Sequence, residues 1–178
     1  MARPRDSQRS KVYKAEGNIA QGEMKAQMVD LQAFVNKVVG SAWWKRHYPN
    51  VQRITATDGR RRRRASAFPL TRKIVMPKWS RSEMIILHEI AHIVTPTQYA
   101  WHGPEYCKVY LELVKVFMGE ETWKSLRDSF KVCRVKWIVR ECRNSVGPKK
   151  SLPPQLKQYL AAKAAAKQQL MEAFESNG

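Results

Sequence analysis

Apolar residues recur at helical spacing through much of the chain, broken by one region where β-branched residues gather between turn signals. Met24, Met28, Leu31, Phe34, Val35 and Val38 form the stripe of an amphipathic helix over Glu23 to Val39, which Gly40 ends. Ser41 to Tyr48 allows another turn or two before Pro49, with Trp43 and Trp44 expected to pack into the core against a sheet. Val51 to Thr57 and Arg72 to Met76 read as strands flanked by Asp58-Gly59 and Pro77.

Ser80 and Glu83 have the spacing of a capping box. The helix they open runs through Met84, Ile85, Ile86, Leu87, Ile90, Ala91, Ile93 and Val94, apolar on nearly every side except at His88, Glu89 and His92. Such a helix is predicted to be buried, and Thr95-Pro96 ends it. Pro104 suits the first position of the next helix, which carries Val109, Leu113, Val114 and Phe117 and closes at Gly119. Glu120 to Val132 follows, with Trp123, Leu126 and Phe130 facing inward. Arg134 to Arg143 fits a strand or an extended tail. Gly147-Pro148 and Pro153-Pro154 mark a linker, and Gln155 to Ser176 an Ala- and Lys-rich helix with Leu156, Leu160, Leu170 and Phe174 as sparse anchors. Met1 to Lys14 is basic and polar, and is expected as a solvated arm leading into a short helix around Val12, Tyr13 and Ala15. The expected class is α+β: an arm and short helix at 1–22, a domain at 23–143, a linker at 144–154 and a C-terminal helix at 155–178.

Composition narrows the class. With 178 residues and 43% hydrophobic content, the chain is long enough for one real core. No apolar run approaches the roughly 20 residues that cross a bilayer. MARPRDSQRS lacks the apolar centre of a signal peptide, so a cytoplasmic protein with no membrane partner is expected. Cys107, Cys133 and Cys142 show no CxxC spacing, which points to neither a disulfide framework nor a cysteine-based zinc site.

The candidate chemistry lies in Ser80 to Tyr106, which holds His88, His92 and His102. Residues four apart on a helix project from one face about a turn apart, so His88 and His92 can share one metal ion. Glu89, roughly 100° around from His88, can face that ion through a water. A catalytic zinc typically takes three protein ligands, lowers the pKa of its water to about 7, and leaves a neighbouring carboxylate to accept the proton. His102, between the two helices, can swing back as third ligand. His47, in a basic polar context, is not expected to be a ligand. Tyr99, Tyr106 and Arg81 are all near enough in sequence to donate to a developing oxyanion, and the residues leave that choice open.

HEIAH, followed after nine residues by HGPEY, resembles the HExxH and HGxxF/Y pattern of SprT-like and Wss1-like zinc metallopeptidases of the minimal zincin type. RDSQRSKVYKAE, WSRSEMIILHEIAH and HGPEYCKVYLELVKVFMGEETWKSLRDSF resemble more closely a little-characterised family of predicted metallohydrolases from actinobacteria and their phages. The resemblance covers about residues 5–135. It implies a short β-sheet packed on the HExxH helix and further helices, zinc as cofactor, His88, His92 and His102 as ligands, Glu89 as general base, and a protein or peptide substrate in a bacterial cytoplasm. The third histidine comes later than in the HExxHxxGxxH pattern, so no Met-turn is expected. In such folds the strand before the metal helix commonly edges the cleft, and Arg72 to Met76 is expected there.

Lys and Arg number 33 against 15 Asp and Glu, a net charge of +18. Arg60, Arg61, Arg62, Arg63 and Arg64 are consecutive between the two predicted strands, where at a hairpin tip they would repel one another unless solvated or paired with anions, and such a run fits contact with nucleic acid or another polyanion. SprT-like peptidases act on DNA-associated proteins, so a peptidase recruited to nucleic acid uses both signals. The alternatives are a basic nucleic-acid-associated or virion structural protein on a zincin scaffold, with zinc structural or absent and Cys107 as a possible fourth ligand, and a hydrolase of phosphodiesters or small amides. The sequence leaves natural substrate and oligomeric state open.

Overall fold

A computed structural model describes residues 3–138. Residues 139–143 of the predicted strand or tail, the linker at 144–154, the C-terminal helix at 155–178 and Cys142 lie outside the described residues. Within them the chain is α+β: helices α1 (Arg9–Gly17), α2 (Met28–Gly40), α3 (Ala42–His47), α4 (Glu83–Val94), α5 (Pro104–Met118) and α6 (Glu120–Val132), with strands β1 (Thr55–Asp58), β2 (Ser66–Phe68) and β3 (Lys73–Met76). No helix among the described residues is long and apolar enough to cross a membrane.

The sheet has the order β1-β3-β2, with β1 parallel and β2 antiparallel to β3. This corrects two expectations. Arg72 to Met76 is the central strand, not the edge, because β2, too short to stand out as a hydrophobic run, pairs with it. The edge beside α4 is β2. Nor do the arginines cap a hairpin between the two predicted strands, since β1 and β3 run parallel and Arg60 to Arg64 link β1 to β2.

The helices form around α4. Met84, Ile86, Leu87 and Ile90 have no exposed surface, and burying each side chain contributes about 1.5–3 kcal/mol. One side of α4 meets α5, and the sheet packs elsewhere on it through β2 and β3. Helix α5 continues onto α6 through Gly119, whose φ of 92° suits a residue without a side chain. Helix α1 packs on α6 with Val12 and Ala15 fully buried, so this part of the predicted arm is core rather than solvated surface. Trp44 is buried and its indole donates to the Val51 carbonyl at 2.7 Å, while Trp43 is half-buried against Phe117.

The start of α4 also differs from the capping-box expectation. Ser82 is the cap, accepting from the Ile85 amide, and Ser80 instead closes a short 3-10 turn by donating to the Pro77 carbonyl. Residues 21–25 run past this end of the helix. The Glu83 amide donates to the Glu23 carbonyl and the Met84 amide to that of Gln21, which satisfies donors that a helix start leaves open. For this reason α2 begins at Met28 rather than Glu23, with Met24 bridged to Ser82. Gly22 makes the approach possible: at φ 73° a Cβ there would lie 2.7 Å from the Met118 methyl and 2.9 Å from a Glu83 carboxylate oxygen.

Candidate metal centre

His88 and His92 stand one turn apart on α4, and His102 reaches them from the loop before α5, whose start Pro104 fixes. All three side chains are buried. Nε2 of His88 lies 3.1 Å from Nε2 of His92 and 3.3 Å from Nε2 of His102. Two nitrogens each about 2.0–2.1 Å from a tetrahedral zinc would stand about 3.3–3.4 Å apart, and the three candidate ligand atoms lie within 4.8 Å of one another, close enough that they could hold one ion.

The outward nitrogens explain why the inward ones converge. His88 Nδ1 is held at 2.5 Å by a Glu16 carboxylate oxygen, and His102 Nδ1 at 2.6 Å by Asp6. A carboxylate only accepts, so each Nδ1 carries a proton and Nε2 is left for the centre. In the chain alone, a proton on one imidazole can bridge some of these contacts; a cation accepting three lone pairs serves them all. His92 has no such partner: its Nδ1 is buried without a hydrogen bond, and its ring stacks on Tyr106 at 4.3 Å.

Electrostatics follows the same division. Burial would lower His88, but the charge and hydrogen bond of Glu16 outweigh it and hold the imidazole above its usual value. Burial, and then the neighbouring imidazoles, push His92 well down. His102 is lowered by burial and by His88, against the opposing pull of Asp6. Burial raises the Glu89 carboxyl to about 7, with His88 opposing.

Glu89 and His88 form part of the wall of a cavity of about 640 Å³ that runs between α1 and the Arg63 to Ala65 loop. Tyr13 on α1 also lines it, 44% exposed, with its ring 5.5 Å from that of His88 and 5.2 Å from that of His102. Burial raises the Tyr13 hydroxyl above its usual value, so it remains a donor, and Arg9 partly opposes that shift. No protein-family model matches the chain, and no curated protein or solved structure matches it.

Of the residues expected as oxyanion donors, Arg81 and Tyr106 are engaged elsewhere. Arg81 is buried, with its guanidinium on Asp58 at 2.8 Å and on the Met76 and Ala26 carbonyls. Tyr106 lies beneath the imidazoles, its hydroxyl donating to the His88 carbonyl at 3.3 Å. Tyr99 sits in the turn after α4 and does not line the cavity. Cys107 directs its thiol to the His102 carbonyl, away from any role as fourth ligand, and burial pushes that thiol up. His47 bonds the Trp43 carbonyl, far along the chain from the cluster.

Asp6, Tyr13 and Glu16 are the residues that sequence reasoning gave no role. A signal was present: Val12, Ala15 and Ile19 make an apolar stripe, and Glu16 lies beside it, so a buried acid was readable. Its partner, 72 residues away, was not. Gln8 fastens the segment, donating to the His102 carbonyl and pairing with both backbone groups of Lys136.

Proposed function

We propose that the chain is a zinc-dependent metallohydrolase, a peptidase of the SprT-like and Wss1-like minimal zincin type, with His88, His92 and His102 as ligands and Glu89 as general base. The observation that carries this reading is the convergence of three Nε2 atoms while carboxylates hold the far nitrogens of two of the rings. Bound zinc would supply an acidified water and polarise the scissile carbonyl.

The chain's own groups then divide the remaining work. Glu89, in the cavity wall, takes the proton from the attacking water and returns it to the leaving amine. Burial holds the carboxyl near 7, which suits a group that must both take and give up a proton. Tyr13, over the imidazoles, replaces Tyr99, Tyr106 and Arg81 as the donor to the developing oxyanion. Asp6 and Glu16 keep His102 and His88 in the ligating tautomer.

Arg60, Arg61 and Arg62 are exposed on the loop after β1, which supports recruitment to nucleic acid or another polyanion as a separate function of the surface. The scaffold alternative with a closed structural zinc needs a fourth protein ligand, and the Cys107 contact counts against it.

The test is proteolysis by zinc-loaded protein, with and without DNA, beside Glu89→Gln. The proposal expects the variant to keep its zinc and lose about 10²–10⁴-fold in kcat. A variant that retains wild-type turnover sinks the assignment of Glu89.

A further inference from the structure

The cavity beside Glu89 carries a charge that the hydrolytic chemistry does not use. Arg9 from α1 and Arg63 and Arg64 from the loop before β2 line it, together with Tyr13, Trp79 and Ile85. The arginine ion pairs among the described residues are Arg81 with Asp58 and Arg127 with Asp128, so the cavity arginines have no acidic partner there. The carboxylates in the same wall do not supply one. Glu16 is taken by His88, and Glu89 makes no ion pair with any of the three. Arg9 leans over the Tyr13 ring at 5.6 Å instead. Trp79 leaves 59% of its surface exposed at the same cavity, so its ring is open to a ligand there.

We propose that this cavity is the substrate subsite next to the scissile bond, and that it selects a carboxylate on an apolar stem: the residue it holds is acidic, or carries the free C-terminus. The proposal rests on the peptidase reading and deepens it. Tyr13, Ile85 and Trp79 contact the stem, while the arginines meet the carboxylate, a pairing that arginine makes with two parallel hydrogen bonds. A nucleic-acid backbone is the poorer fit. It needs cations repeated along an open path, and here the three line a single hollow with apolar walls.

The proposal gives the arginine run two uses: all five are exposed, with Arg63 and Arg64 at the cavity and Arg60 to Arg62 outside its lining. It also accounts for the α1 side of the cavity, since Arg9 and Tyr13 stand four apart on one face of that helix.

The experiment has two arms on the full chain. In the first, zinc-loaded protein digests a mixed peptide pool and the cut positions are read by mass spectrometry. The proposal expects Asp and Glu enriched at a single position flanking the cut, with the Arg63→Glu, Arg64→Glu double variant shifting that position toward Lys and Arg and raising KM for acidic peptides at least tenfold. In the second, fluorescence anisotropy measures a labelled Glu-containing peptide, its Gln counterpart and C-terminally amidated forms on zinc-loaded Glu89→Gln protein. At least tenfold tighter binding of the acidic peptide, abolished in the charge-reversed protein, supports the subsite even where nothing is cleaved, an outcome that would remove the peptidase reading alone. The amidated forms distinguish side chain from terminus as the source of the carboxylate. Cleavage with no acidic preference overturns the subsite while leaving the hydrolase intact. Displacement of the acidic peptide by a single-stranded oligonucleotide that itself depends on Arg63 and Arg64 overturns it in favour of phosphate.

Discussion

Asp6 and Glu16 each accept a hydrogen bond from the outward nitrogen of an imidazole, which decides the nitrogen that His102 and His88 present to the centre. Amides at the same positions could present their NH2 to the ring and stabilise the wrong tautomer. We therefore expect Asp6→Asn and Glu16→Gln each to weaken zinc about 10–100-fold, measured by competition with a chelating dye, while the far-UV spectrum stays native. Tyr13→Phe separates differently: the zinc content should be unchanged and kcat should fall about 100-fold, because the variant lacks a donor to the transition state and keeps every ligand. Unchanged kcat in Tyr13→Phe would leave the oxyanion without its assigned partner. At this scale the sequence was legible where spacing encodes geometry. His88, Glu89 and His92 lie on one helix and His102 follows closely, so local periodicity could assemble them. Asp6 and Glu16 act across 96 and 72 residues, and no local pattern carries such a contact.

At the scale of elements, the apolar stripes of α2, α4, α5 and α6 were readable because each is long and its periodicity is set by burial. Their starts were read less well. The helix predicted from Glu23 begins at Met28, since residues 21–25 serve the amides of α4, a tertiary demand that overrides local propensity. The sheet was harder: β2 has three residues and no apolar run, so β3 looked like an edge when it is the centre. Arg81 shows how a residue near a motif can serve the scaffold instead. It joins Asp58 at the end of β1 to the carbonyls of Met76 and Ala26, tying sheet, α2 approach and α4 together. Arg81→Ala leaves those acceptors without their donor, and we expect a loss of about 2–4 kcal/mol in denaturant unfolding with the zinc stoichiometry of the folded fraction unchanged. A variant of wild-type stability would return Arg81 to the candidate site residues.

For the whole molecule, the net charge of +18 was plain in the sequence, but its distribution was not. All five arginines of the run are exposed, and Arg63 and Arg64 among them line the cavity. If the outer group neutralises phosphates, Arg60→Gln, Arg61→Gln and Arg62→Gln together should lower the slope of log affinity against log salt by about 0.9 for each duplex phosphate that is no longer neutralised, with peptide selectivity intact. A slope unchanged by the triple substitution would place nucleic-acid binding elsewhere. All of this depends on the three imidazoles holding one ion. The most direct measurement is elemental analysis of purified protein after dialysis without chelator, wild type beside His102→Ala at matched concentration. The account predicts about one zinc per chain in the wild type and little in the variant, in which only His88 and His92 remain. Wild-type protein without zinc, or zinc retained in full by the variant, would contradict the three-histidine centre.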